Sequence, residues 1–185
     1  SVIESKEKFN MEEMIDLQVD YYSMPSEEII KLASGNISNY IDYFEKLEKW
    51  NNVLDKNSIE AGIYVEWQSQ IYFEFINTYV PNSVKKYLDI QIFRIIETIS
   101  NMNESNRVKF LNKTFNASID NLKDRYGEDS KNWVYGQDEY KHVKIYHPLE
   151  NVVNDSIKGL VELKTYPRGG DGFTPGSTSS NLNQR

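Results

Sequence analysis

Residues 50–67 read WNNVLDKNSIEAGIYVEW. Two of the chain's three tryptophans, Trp50 and Trp67, bracket a polar turn and the start of a helix. The segment NNVLDKN carries the turn, and Ser58 can cap the helix by accepting from backbone N–H groups of its first turn. Beyond it Ile59, Ile63, Trp67 and Ile71 line one side, and Tyr64, Tyr72, Phe75, Ile76 and Tyr79 widen it. Only Glu66, Gln70, Glu74 and Asn77 form a polar stripe. A helix apolar over most of its circumference is buried between other elements. The pattern therefore predicts a central helix from Ser58 to about Tyr79, stopped by Pro81, with other helices packed around it.

The neighbouring segments supply those helices. Asn10 can cap a first one, with Glu13 three residues on as its capping-box partner, and this segment runs on to Pro25. Ser26 is read as the cap of a short second helix closed by Gly35. A third runs from about Ser38, with Tyr40, Phe44 and Leu47 at helical spacing. Ser83 is read as the cap of a fifth, and a sixth spans about Arg107 to Tyr126, ended by Gly127. The character then changes. Residues 141–149, KHVKIYHPL, alternate with period two and read as a strand, and 157–166, IKGLVELKTY, as a second. From Pro167 the chain is rich in Gly, Ser, Thr and Asn.

The expected fold class is mainly α, of α+β type: a helical region of about six helices over 1–130, short strands over 131–168, and a Gly/Ser-rich tail over 169–185. Two strands alone make a marginal sheet, so the β part reads as the edge of a larger one. A length of 185 residues suits one domain or one and a fraction. The net charge of -7, with Lys and Arg interleaved among Glu and Asp, argues against the concentrated basic stripe that nucleic acid requires. There is no cysteine, hence no disulfide framework, thiolate metal site or cysteine nucleophile. No apolar run approaches the ~18 residues needed to span a membrane. Tyrosine is abundant, at 13 copies, and suits interfaces as well as cores.

The candidates for chemistry each carry a plainer reading. Ser1 has the form of an N-terminal nucleophile with its own α-amino group as base; followed by polar VIESKEKFN, it reads instead as a cut site or an expression remnant. Glu60, Glu66 and Glu74 share one helix, and paired carboxylates can do acid–base work; the plainer reading is the wet stripe of a buried helix. His142 and His147 are the only histidines and, five apart on a strand, point to opposite faces, so with Asp138 and Glu139 they form no known metal-ligand spacing. His147 reads as an orienting hydrogen-bond group. PRGGDG, residues 167–172, lacks the Lys-Ser/Thr ending and following helix of a phosphate cradle. It reads as a turn needing positive φ or close backbone approach, with Arg168 available to a carboxylate. The sequons at Asn36, Asn103, Asn112, Asn116 and Asn154 suggest surface positions. No catalytic, cofactor-binding or metal-ligating residue is assigned.

Four blocks, in order along the chain, resemble the penicillin amidase family, which includes acyl-homoserine-lactone acylases. MEEMIDLQVDYYS (11–23) is similar to that family's helix with Leu-Gln-x-Asp and a following Ser. LEKWNNVLDKNSIEAGIYVEW (47–67) is similar to its Leu-x-x-Trp-Asp-Gly, then Ser, then Ala-x-x-Tyr-x-x-Trp, with Asn51 and Asn52 in place of Asp-Gly. WVYGQDEYKHVKIYHPL (133–149) is similar to Trp-x-Trp-Gly and a strand ending in His-Pro-Leu, with Tyr135 in place of a Trp. PRGGDGFTP (167–175) is similar to Gly-Gly-Asp-Gly-x-Thr-Val-Asn, with Pro175 and Gly176 in place of Val-Asn.

The resemblance implies an N-terminal-nucleophile amidohydrolase with a four-layer αββα sandwich and helical insertions. It implies a serine exposed by self-cleavage, an oxyanion site of a backbone N–H and an asparagine side chain, and a nearby arginine. It implies calcium elsewhere in the full protein, an acylated small-molecule amide as substrate, and an exported or extracytoplasmic location. Ser1-Val2-Ile3-Glu4 does not match the Ser-Asn-aromatic start of the catalytic strand. The chain is therefore expected to be a late segment of the large chain, inactive alone, with the remainder of its precursor as partner. Trp50 and Trp67 are expected to seal one helix–helix corner. Two rival readings stay open: an inactive relative acting as a helical protein-binding module, and an independent helical domain.

Overall fold

The computed structural model describes residues 8–87, 90–137, 152–154, 156–157 and 166–176. Among them the protein is mainly α, with six α-helices: α1 (Met11–Gln18), α2 (Met24–Ala33), α3 (Ile41–Glu48), α4 (Ile59–Tyr79), α5 (Ile92–Ser100) and α6 (Glu104–Tyr126). Short 3-10 turns lie at Lys85–Tyr87 and Ser130–Asn132. The expected strands fall largely outside the described residues, as do Ser1, Asp138, Glu139, His142 and His147.

The central helix is α4. The Ser58 hydroxyl accepts from Ala61 N at 3.0 Å and starts it, and Ala61, Ile63, Tyr64, Trp67 and Ile71 are fully buried along it. Its principal partner is α6, which runs antiparallel: Glu66 meets Asn121 and Arg125, while Glu74 meets Lys113. Trp67, Phe44 and Phe115 form an aromatic trio joining α4, α3 and α6. Trp67 sits edge-on to Phe115 at 5.1 Å and to Phe44 at 6.0 Å, and Phe44 meets Phe115 at 5.5 Å. The indole Nε1 donates to Thr114 Oγ1 at 3.1 Å, so the largest ring in the trio is buried without an orphaned donor.

The two tryptophans of the opening stretch do not share a corner. Trp50 lies over Tyr64, ring centroids 5.8 Å apart, while Trp67 turns into the α3–α4–α6 junction. The third, Trp133, closes another junction. Its ring packs on Tyr43 of α3 at 5.0 Å, its Nε1 donates to Gly127 O at 2.9 Å, and its backbone lies directly on Gly62 of α4. A Cβ on Gly62 would stand 1.8 Å from Trp133 O, so only glycine allows this approach.

Several boundaries move from their sequence positions. The cap of α2 is Ser23, not Ser26: its hydroxyl accepts from Ser26 N, and Pro25 sits in the first turn, where its missing N–H costs nothing. Helix α3 begins at Ile41, because Ser38 is engaged elsewhere, its N and Oγ both donating to Asn112 Oδ1 of α6. Helix α5 begins only at Ile92, where Ile92, Ile95, Ile96 and Ile99 are buried at helical spacing; Val84 and Tyr87 before it are exposed and give a helix no apolar face. Helix α6 starts three residues early because Asn103 caps it by accepting from Asn106 N.

Candidate functional site

Stretches of all four family-like blocks meet at one place. Residues 20–23, 52–58, 135–136 and 169–176 meet through backbone hydrogen bonds. Leu54 N donates to Tyr21 O at 2.9 Å and Ser23 N to Asn52 O at 2.8 Å, around an antiparallel bridge between Tyr22 and Val53. Gly170 N donates to Leu54 O at 2.9 Å, Gly176 N to Asp20 O at 2.9 Å, Gly136 N to Lys56 O at 2.6 Å and Tyr135 N to Ser58 O at 3.0 Å. The Tyr135 hydroxyl donates to Gly170 O at 2.6 Å and ties the third block to the fourth.

The ring of Tyr21 is the pivot of this knot. A Cβ on Gly169 would stand 2.4 Å from Tyr21 Cδ2, and one on Gly176 2.5 Å from its Cε1. Glycine is needed here for close approach, and at Gly170 also for its φ of +78°. Two amides of the PRGGDG turn are engaged in the fold, Gly170 N on Leu54 O and Asp171 N on Thr174 Oγ1, and just beyond them Phe173 N donates to Asp171 Oδ1. Arg168 Nη2 lies 3.5 Å from the Tyr21 hydroxyl. Residues 169–176, grouped by sequence with the tail, are part of this knot; 177–185 lie outside the described residues.

Asn52 occupies a special backbone position, with φ +59°. It stands where the resembled pattern has glycine. Asparagine tolerates the left-handed region better than other side-chain-bearing residues. Here it also brings Oδ1 to 2.9 Å from Ser26 Oγ, pinning the first turn of α2 to the knot.

Three tyrosines around the knot have raised phenol pKa values, for different reasons. Tyr22 donates to Glu27 Oε2 at 2.6 Å, and that carboxylate holds the phenol up at about 12. Burial pushes Tyr64 well up, the Asp171 charge adds to this, and Ser23 opposes it. Burial raises Tyr135 too, again with Asp171 adding. All three phenols are protonated at neutral pH, where Tyr135 donates to backbone and Tyr22 to a carboxylate.

The carboxylates of α4 do not form an acid–base pair. Glu66 is buried, contrary to its reading as part of a wet stripe. It accepts from Gln70 Nε2 at 2.9 Å and Asn121 Nδ2 at 3.2 Å, and pairs with Arg125. Glu74 pairs with Lys113 at 2.7 Å, which lowers its pKa. Glu60 accepts from Ser58 Oγ at 3.1 Å. Each is engaged with a different neighbour. Sequence reading missed the pairing because Arg125 lies 59 residues from Glu66. It also placed Asn116 at the surface, whereas Asn116 Oδ1 is buried on α6.

A groove of about 600 Å³ beside the knot is lined by Lys46, Lys49, Trp50, Asp55 and Glu60. Its charges are already engaged: Lys49 pairs with Glu45, Lys46 lies over the Tyr43 ring, and Asp55 Oδ1 accepts from Asn57 N. Among the described residues no three His, Cys, Asp or Glu side chains are grouped to hold a metal ion. No helix among them is long and apolar enough to cross a membrane.

Compared with known families, residues 1–184 match the penicillin amidase family. The chain belongs to the penicillin amidase family. A comparison with curated proteins gave no match. Membership makes an amidohydrolase origin the ground for reading the knot. Several family-like residues of this penicillin amidase relative, among them Asp20, Ser23, Ser58, Gly136 and Gly170, join segments of backbone.

Proposed function

We propose that this chain is a scaffold segment of an amidohydrolase that cleaves linear amides of small molecules and removes their acyl group. The reaction runs through an N-terminal serine other than Ser1. That serine's hydroxyl adds to the amide carbonyl while its α-amino group takes the proton. A backbone N–H and an asparagine side chain stabilise the oxyanion. The protonated amine leaves, and water then hydrolyses the acyl ester to acid and free serine. The nucleophile, the oxyanion groups, the calcium site and the αββα sandwich belong to the remainder of the precursor, and the chain alone is inactive.

One observation carries this reading. Residues that carry the resemblance, among them Asp20, Ser23, Ser58, Gly136 and Gly170, hold backbone to backbone. A segment whose family signature is structural supports chemistry located elsewhere. The test is in two parts. Intact mass and N-terminal sequencing of the protein from its native source should give two chains, the larger one containing this segment and beginning in serine. A chromogenic acyl amide offered to the isolated 185-residue chain should give no turnover. Turnover that disappears on removing Ser1 would overturn the proposal. A single native chain of about this length would favour an independent helical domain and reduce the hydrolase reading to shared ancestry.

A further inference from the structure

We draw no further inference here: the strongest candidate, the groove beside the knot lined by Lys46, Lys49, Trp50, Asp55 and Glu60, carries none, because its charged side chains are already engaged within the fold and nothing in the structure shows what covers it.

Discussion

The α3–α4–α6 junction and the knot around Tyr21 are built on opposite principles. At the junction, Trp67, Phe44 and Phe115 fill space, and the stabilisation comes from the apolar area removed from water. At the knot, glycines leave space out so that a ring and four stretches of backbone can approach. A volume-filling site loses stability in proportion to what is removed from it. A site of close approach fails when anything is added. The sharpest way to break the comparison is therefore to subtract from one and add to the other.

Trp67→Ala should have the largest effect, about 4–5 kcal/mol of global stability read by urea unfolding, since it empties the trio and removes the donor that Thr114 Oγ1 accepts from. Trp67→Phe should recover roughly half of that. Gly169→Ala should cost about 3 kcal/mol, and its effect should be local. The new Cβ meets the Tyr21 ring and the Leu54 carbonyl, so hydrogen exchange should speed up at Gly170 and Gly176 while α4 amides keep their protection. Uniform loss of protection across α4 would mean that knot and junction are one cooperative unit.

Glu66→Gln removes one charge of a buried pair and leaves Arg125 at the rim of the interface. A loss of about 2 kcal/mol is expected, discounted from the full cost of breaking a buried pair because Arg125 is partly exposed. Alkaline pH sharpens the comparison from the side of the knot. The folded pKa values of Tyr64 and Tyr135 lie above the unfolded value of about 10, so their contribution is intact below that pH and is lost as pH rises above it. Stability should fall by about 1.4 kcal/mol per pH unit for each phenol so raised, and Tyr64→Phe should lessen the total slope by one phenol's share. The smallest effect is expected of Asn52→Gly, about 0.5–1 kcal/mol from the lost Ser26 contact, because glycine accepts the same φ. Asn52→Val, strained at that φ, should cost visibly more in the same titration.

What the sequence revealed follows from the range of each interaction. Asn10, Ser58 and Gly127 were legible as helix ends because a cap depends on residues three or four away. The burial of α4 was legible because Ile, Trp and Tyr surround most of its circumference. Ser23 was passed over for Ser26 because Pro25 reads as a stop when its place in a first turn is unknown. The paired charges of Glu66 and Arg125 were hidden, since opposite charges 59 residues apart carry no local mark. The knot was visible only as family-like blocks. That Asn51-Asn52 replaces Asp-Gly was plain, but not that the second asparagine must hold φ at +59°.

The bond from Gly176 N to Asp20 O joins opposite ends of the described chain. Contacts so distant in sequence carry a loop-closure cost that neighbouring helices such as α3 and α4 avoid. The helical body should therefore collapse first and the clasp close last. If so, Gly176→Ala should leave the folding arm of a chevron almost unmoved and steepen none of it, while raising the unfolding rate by nearly the whole of its stability loss. The glycines around Tyr21 would then act less as a foundation than as a late fastening, setting how long the protein stays folded rather than how fast it gets there.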